Sequence, residues 1–160
     1  MIQVGDRLPA GVLRVKQADD SVQQLTTDEL FSGKKVVLVG VPGAFTSTCH
    51  RAHIPQFVTH AGEIKAHAVD AIVVLAVNDH HVMKAWAESL GGTGKLLFVA
   101  DGDGAYASAL GLGINIPGLG LRVRRFSAVV EDGVVKTLNF EPEGSRGVEA
   151  TGAQTMLAQA

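Results

Sequence analysis

The 160-residue chain carries one cysteine, Cys49, which follows a Pro42-Gly43 turn and a run of three hydroxyl side chains. Thr46, Ser47 and Thr48 are candidate N-caps, so the spacing predicts a helix beginning there. With Thr46 as the cap, Cys49 is a first-turn residue. Unpaired backbone N–H groups and the positive end of the helix dipole there favour thiolate over thiol. Thiolate is the form that attacks electrophiles, which requires a sulfur at the mouth of a small dry cleft that an oxidant can reach. A free cysteine also serves as a small apolar core residue, and that reading competes on residue type alone.

Other constellations point to less. Cys49 and His53, at i and i+4, share a helix face and suggest a metal, but nothing nearby supplies a third ligand. His53, His60 and His67 recur every seven residues, about 10 Å per step on a helix, too far apart for one ion. They read as the polar edge of a helix, with His50 facing solvent. Gly102-Asp103-Gly104-Ala105-Tyr106-Ala107 matches a dinucleotide fingerprint locally, yet Asp101 and Asp103 oppose a pyrophosphate, so a turn with a helix cap is expected. Arg122, Arg124 and Arg125 are too few for a nucleic-acid surface. On a strand, Arg124 and Arg125 point to opposite sides, so at most one of them faces Cys49. Arg122 is placed to reach the site from a loop or to support Arg125.

The elements that must position these residues are read from the periodicity. Thr26-x-x-Glu29 is a capping box opening a short helix that ends near Gly33. Val36–Val41 and Ala71–Val77 are unbroken apolar runs that predict strands buried on both faces, and Leu96–Ala100 predicts a third. Between them lie an amphipathic helix through Ile54, Phe57, Ala61 and Ile64, kinked near Pro55, and a second helix capped by Asn78-Asp79 and running through Trp86 to Leu90. Ala105–Leu110 predicts a short helix, and the glycine-rich stretch 111–120 a loop. Arg125–Val130 and Val134–Leu138 flank Asp132-Gly133 as a hairpin, and Thr151-x-x-Gln154 caps a last helix. Alternating strands and helices followed by a hairpin give an α/β domain with a mixed sheet.

Composition bounds the reading. Apolar residues make up 46% and charged residues 19%, enough for a core and not a disordered composition. Fourteen basic against sixteen acidic side chains leave a net charge of −2, which supports neither nucleic-acid nor polybasic membrane binding. The apolar runs are far shorter than the roughly 20 residues needed to span a bilayer, and no secretory signal is read at Met1–Asp6. A lone cysteine forms no internal disulfide and fits a reducing compartment; a cytoplasmic single domain, 1–160, is expected.

Pro42-Gly43-Ala44-Phe45-Thr46-Ser47-Thr48-Cys49 resembles the Pro-x-x-x-Thr-x-x-Cys motif of peroxiredoxins, and its Gly-Ala-Phe filling resembles the peroxiredoxin-5 (type II) subfamily. The likeness continues through His53-Ile54-Pro55, Val77-Asn78-Asp79 with Trp86, Asp101–Gly104, Arg125-Phe126-Ser127, Asp132-Gly133 and Asn139-x-Glu141-Pro142.

The resemblance implies a thioredoxin fold, with a mixed central β-sheet flanked by helices, and a thiol-dependent peroxidase. It implies Cys49 as the peroxidatic nucleophile, Thr46 as a hydroxyl partner of the peroxide (a role compatible with capping), Pro42 shaping the pocket, and Arg125 stabilising the thiolate and the charge on the breaking O–O bond. Hydrogen peroxide and small alkyl hydroperoxides are the implied substrates, a homodimer the implied assembly, and no metal or organic cofactor is required. Many members carry a second, resolving cysteine near the C-terminus, and the stretch Gly147-Val148-Glu149-Ala150-Thr151 has none. Recycling then falls to an external thiol, glutathione with glutaredoxin or thioredoxin. Ser47 stands where a second proline is common, and His50 replaces a smaller residue. On the same fold, a redox-sensing module whose partner responds to Cys49 oxidation is the competing reading.

Overall fold

The computed structural model describes residues 1–142 and 148–160; Gly147, part of the cysteine-free stretch above, lies outside them. Two short strands, β1 (Val12–Lys16) and β2 (Val22–Thr26), precede α1 (Thr27–Phe31). Then come β3 (Lys35–Gly40), a π-helical turn (Cys49–His53), α2 (Ile54–Lys65), β4 (Ala71–Ala76), α3 (His80–Leu90), β5 (Leu97–Ala100) and α4 (Ala105–Leu110). The chain closes with β6 (Gly113–Ile116), β7 (Gly120–Val123), β8 (Phe126–Glu131), β9 (Val134–Phe140) and α5 (Ala153–Gln159). Seven strands form one sheet in the order β2-β1-β5-β4-β3-β8-β9, in which β3, β4 and β5 run parallel and the other pairings are antiparallel. This is the α/β thioredoxin fold with a mixed sheet.

The unbroken apolar runs have the expected cause. Along β3, Val37 and Val39 pack with α2, α3 and α5 on one face, while Val36 and Leu38 pack with α1 and α4 on the other. A strand covered on both sides has no reason to alternate polar and apolar residues. The caps also hold: Thr26 and Glu29 form the capping box, and Asp79 Oδ1 accepts from Val82 N at 2.9 Å. Asp101 accepts from Tyr106 N at 3.0 Å and Ala107 N at 2.7 Å, so this carboxylate caps α4 and leaves no cradle for phosphate. Asp132 and Gly133 both take left-handed φ, 48° and 77°, as a tight hairpin turn requires.

Three expectations need correction, and two strands, β1 and β2, stand where the sequence pattern predicts none. Strands β1 and β2 lie at a sheet edge with only Leu13 and Val15 buried, so they give little hydrophobic signal. The stretch 111–120 is not a plain loop: most of it builds the β6–β7 hairpin, whose turn is closed by Leu119 N donating to Ile116 O at 2.9 Å. Gly118 and Gly120 supply the left-handed turn geometry there, φ 81° and 80°, so the glycines mark a turn rather than missing structure. Near Pro55 the helix widens instead of kinking: Ile54 N donates to Cys49 O, a π-type bond just before the residue that has no N–H to give. Finally, α5 is capped by Gly152 without a side-chain bond, and the Thr151 hydroxyl finds no hydrogen-bond partner among the described residues.

Candidate active site

The connection from β3 to the π-turn is held from three sides. Gly40 is needed at the strand exit, because a Cβ there falls 2.1 Å from the Phe126 ring. Asn78, two residues past the end of β4, accepts from Ala44 N through Oδ1 at 2.9 Å. From the β6–β7 hairpin, Arg122 donates to Leu119 O at 3.2 Å and to Pro42 O at 3.3 Å, tying that hairpin to the connection. Within the connection Phe45 sits at φ 61°, a left-handed geometry costing a non-glycine residue about 1 kcal/mol. The Thr46 hydroxyl donates to Gly43 O at 2.7 Å and does not cap the helix as expected; Thr46 instead accepts from His50 N through its carbonyl at 2.8 Å.

Cys49 opens the π-turn. The widened turn keeps Cys49 and His53 on its inner side, both fully buried, while Arg51 is exposed. The expected position at a cleft mouth is therefore corrected: the sulfur is covered, and Pro42 and Thr46 are only half-buried parts of the motif that precedes it. Arg125, between β7 and β8, donates from Nη2 to Cys49 Sγ at 3.0 Å. Its neighbour Arg124 turns the other way, 4.1 Å over the Phe140 ring. Through Nη1, Arg125 also donates to His53 Nδ1.

His53 is not the polar helix edge its spacing suggests. Its Nε2 lies 2.9 Å from Thr151 O, an acceptor only, so Nε2 carries the proton and Nδ1 is left to accept from Arg125. Burial, and secondarily the Arg125 charge, lower its pKa to about 4, so the ring is neutral at physiological pH. His50 does not simply face solvent either. Its Nδ1 accepts from Trp86 Nε1 at 3.0 Å, and its ring stacks on half-exposed Phe45 with centroids 5.6 Å apart. Among the described residues, no three His, Cys, Asp or Glu side chains converge as a metal site.

The structure thus joins Cys49 to Arg125 directly and adds His53 to the pair. Thr46 and Pro42 stay in the connection, bonded to Gly43 and Arg122 respectively. Chemically, the centre is a lone sulfur facing a cation whose geometry is fixed by a neutral acceptor. Such a centre suits a reaction in which negative charge starts on sulfur and moves to a leaving oxygen.

Comparison with known proteins shows the family. The Redoxin family matches residues 3–157. Peroxiredoxin-2C of Oryza sativa subsp. japonica is 44% identical over 158 residues, covering 98% of this chain and 96% of that protein. Peroxiredoxin-2B of Arabidopsis thaliana is 43% identical, covering 89% of this chain and 90% of its own. Among solved structures, reduced Prx3 in complex with H2O2 from Vibrio vulnificus superposes with a TM-score of 0.92 at 41% identity, covering 99% of both chains. Peroxiredoxin 5 from Alvinella pompejana superposes with a TM-score of 0.84 at 25% identity, covering 100% of both.

Proposed function

The chain belongs to the Redoxin family as a peroxiredoxin, a thiol-dependent peroxidase, and from that premise we propose how its own residues act. Cys49 is the nucleophile. Its thiolate, covered in the resting chain, attacks one oxygen of hydrogen peroxide or a small alkyl hydroperoxide once the segment over it opens to admit the substrate. The S–O bond forms as the O–O bond breaks, and the departing oxygen takes a proton from solvent to leave as water or alcohol. Sulfur gives up the two electrons that reduce the peroxide and becomes sulfenic acid. Arg125 supports the anionic sulfur at rest and follows the charge onto the breaking bond. Thr46 hydrogen-bonds the peroxide with its hydroxyl, and Pro42, without an N–H, leaves the pocket wall undonating. The observation carrying this reading is the 3.0 Å contact from Arg125 Nη2 to Cys49 Sγ behind the Pro-x-x-x-Thr-x-x-Cys motif.

We further propose a one-cysteine cycle of the peroxiredoxin-5 type. A first external thiol condenses with the sulfenic acid, releasing water and forming a mixed disulfide; a second regenerates Cys49 and leaves as the external disulfide. Glutathione with glutaredoxin, or thioredoxin, supplies those thiols. Residues 1–160 act as one domain in a cytoplasmic homodimer. Peroxide consumption assayed separately with each reductant tests the cycle: turnover with either is expected, and no turnover with both, under conditions where Cys49 is oxidised, contradicts it. Sedimentation of the reduced protein tests the dimer.

A further inference from the structure

The peroxide step uses the inner side of the π-turn, where Cys49 meets Arg125, and leaves His50 on the side that faces α3. Two rings fix that imidazole. The Trp86 indole, fully buried on α3, has an N–H and no acceptor, so His50 Nδ1 takes its hydrogen bond at 3.0 Å and the ring's own proton sits on Nε2. The two ring nitrogens point away from each other, so holding Nδ1 against Trp86 turns the Nε2–H away from the core. Among the described residues no acceptor meets that N–H, and it is not a buried orphan. Phe45 stacks on the same ring with centroids 5.6 Å apart and is itself 50% exposed. One residue from the sulfur, the chain thus presents an apolar platform with a single outward donor of fixed direction.

What that donor meets follows from size and charge. A peroxide reacts on the inner side of the turn. The larger reactant is the thiol that condenses with the sulfenic acid: the S–S bond forms as the S–O bond breaks, the hydroxyl leaves as water with the thiol's proton, and the Cys49 sulfur is reduced as the thiol sulfur is oxidised. The chain has no Asp or Glu from Leu30 to Gly62 or from Gly104 to Val130, so the stretches that carry Cys49 and Arg125 add only positive charge, Arg51, Arg122 and Arg124 included. Asp79, beside the site, is engaged in capping α3. A carboxylate is the acceptor that such surroundings attract. We propose that His50, with its Nε2–H aimed outward by Trp86, recognises the reducing thiol: it donates to a carboxylate carried next to the thiol group, while Phe45 covers the carbon chain between the two. This rests on the one-cysteine cycle proposed above.

The test times the reductive half of the cycle alone. Cys49 is converted to sulfenic acid with one equivalent of hydrogen peroxide, then reduced with N-acetylcysteine or with N-acetylcysteine amide, which differ only in the carboxylate. The ratio of the two rate constants is expected to fall roughly tenfold in His50→Leu. His50→Gln, which can accept from Trp86 through its oxygen and donate outward through its amide nitrogen, is expected to keep most of the ratio, a rescue that a merely structural role would not give. Nitrogen-15 NMR of the unsubstituted protein, which needs no variant to fold, is expected to show His50 as the Nε2–H tautomer, with that signal shifting when the unreactive N-acetyl-S-methylcysteine is added. An unchanged ratio in His50→Leu overturns the inference, as does an Nδ1–H tautomer. Sedimentation of Phe45→Ala as a monomer, where the unsubstituted chain is a dimer, assigns the platform to a second copy and overturns it too. Should neither thiol reduce the sulfenic acid, the cycle itself fails; reduction at an unchanged ratio removes only the role of His50.

Discussion

At the sulfur, removing each partner has a different signature. Cys49→Ser keeps the volume and the fold and is expected to abolish peroxide reduction; measurable turnover would remove Cys49 as nucleophile. Arg125→Ala is expected to lower the peroxide rate constant about a hundredfold, with only a small fall in melting temperature, because the guanidinium touches the site and not the core. Arg125→Lys recovers little, since one ammonium cannot present two nitrogens in a fixed fork to His53 and Cys49 at once. An unchanged rate in either variant contradicts the role of Arg125. His53 also sets a pH dependence of stability. It stays neutral in the folded chain down to about pH 4, against an ordinary value of 6.5. Below about pH 6.5 the unfolded chain therefore binds the proton first, and stability falls until about pH 4; above that window this group contributes no slope. The loss across the window is roughly 3 kcal/mol. Urea unfolding at several pH values is expected to give a flatter acid slope for His53→Gln, and parallel slopes would contradict the buried neutral ring.

At the scale of elements, the site depends on how the β3–π-turn connection is tied down. Asn78→Ala leaves the Ala44 N–H buried without its acceptor, a loss of about 1–3 kcal/mol. Both stability and the peroxide rate are expected to drop; denaturant unfolding alongside single-turnover kinetics checks this, and a silent variant would show that Asn78 does not hold the connection. The sequence displays Asn78 only as a turn residue before a helix, because its long-range bond to Ala44 has no local signature. Cys49 is legible from the motif and Arg125 from the resemblance, while alternation says only that Arg124 and Arg125 do not both face the sulfur. His53 shows in the sequence as an i+4 neighbour of Cys49, and its seven-residue spacing to His60 and His67 points instead to a polar edge. What distinguishes it is coverage: Arg125 and the Thr151 segment bury only the beginning of that helix, and both arrive from distant parts of the chain. The sequence predicts a kink where the π-turn stands, since a proline tells where the backbone ladder fails but not how it recovers.

Over the whole molecule, the buried strands, the Thr26 and Asp79 helix caps and the Asp132-Gly133 hairpin follow from local pattern, and with them the mixed sheet. The edge strands and the β6–β7 hairpin do not, because their side chains are largely exposed and their order comes from pairing. The sheet brings Cys49, from one crossover, against Arg125, which stands seventy-six residues later at the start of an antiparallel strand. Its lone tryptophan, Trp86, donates to His50, the residue beside Cys49, so its emission is placed to report on the sulfur. The most direct measurement mixes reduced protein with hydrogen peroxide in a stopped-flow instrument, following Trp86 emission and counting thiols. Loss of one thiol per chain, in step with the emission change and orders of magnitude faster than for free cysteine, is the result predicted. A sulfur that oxidises at the pace of free cysteine, or stays reduced, would contradict the account.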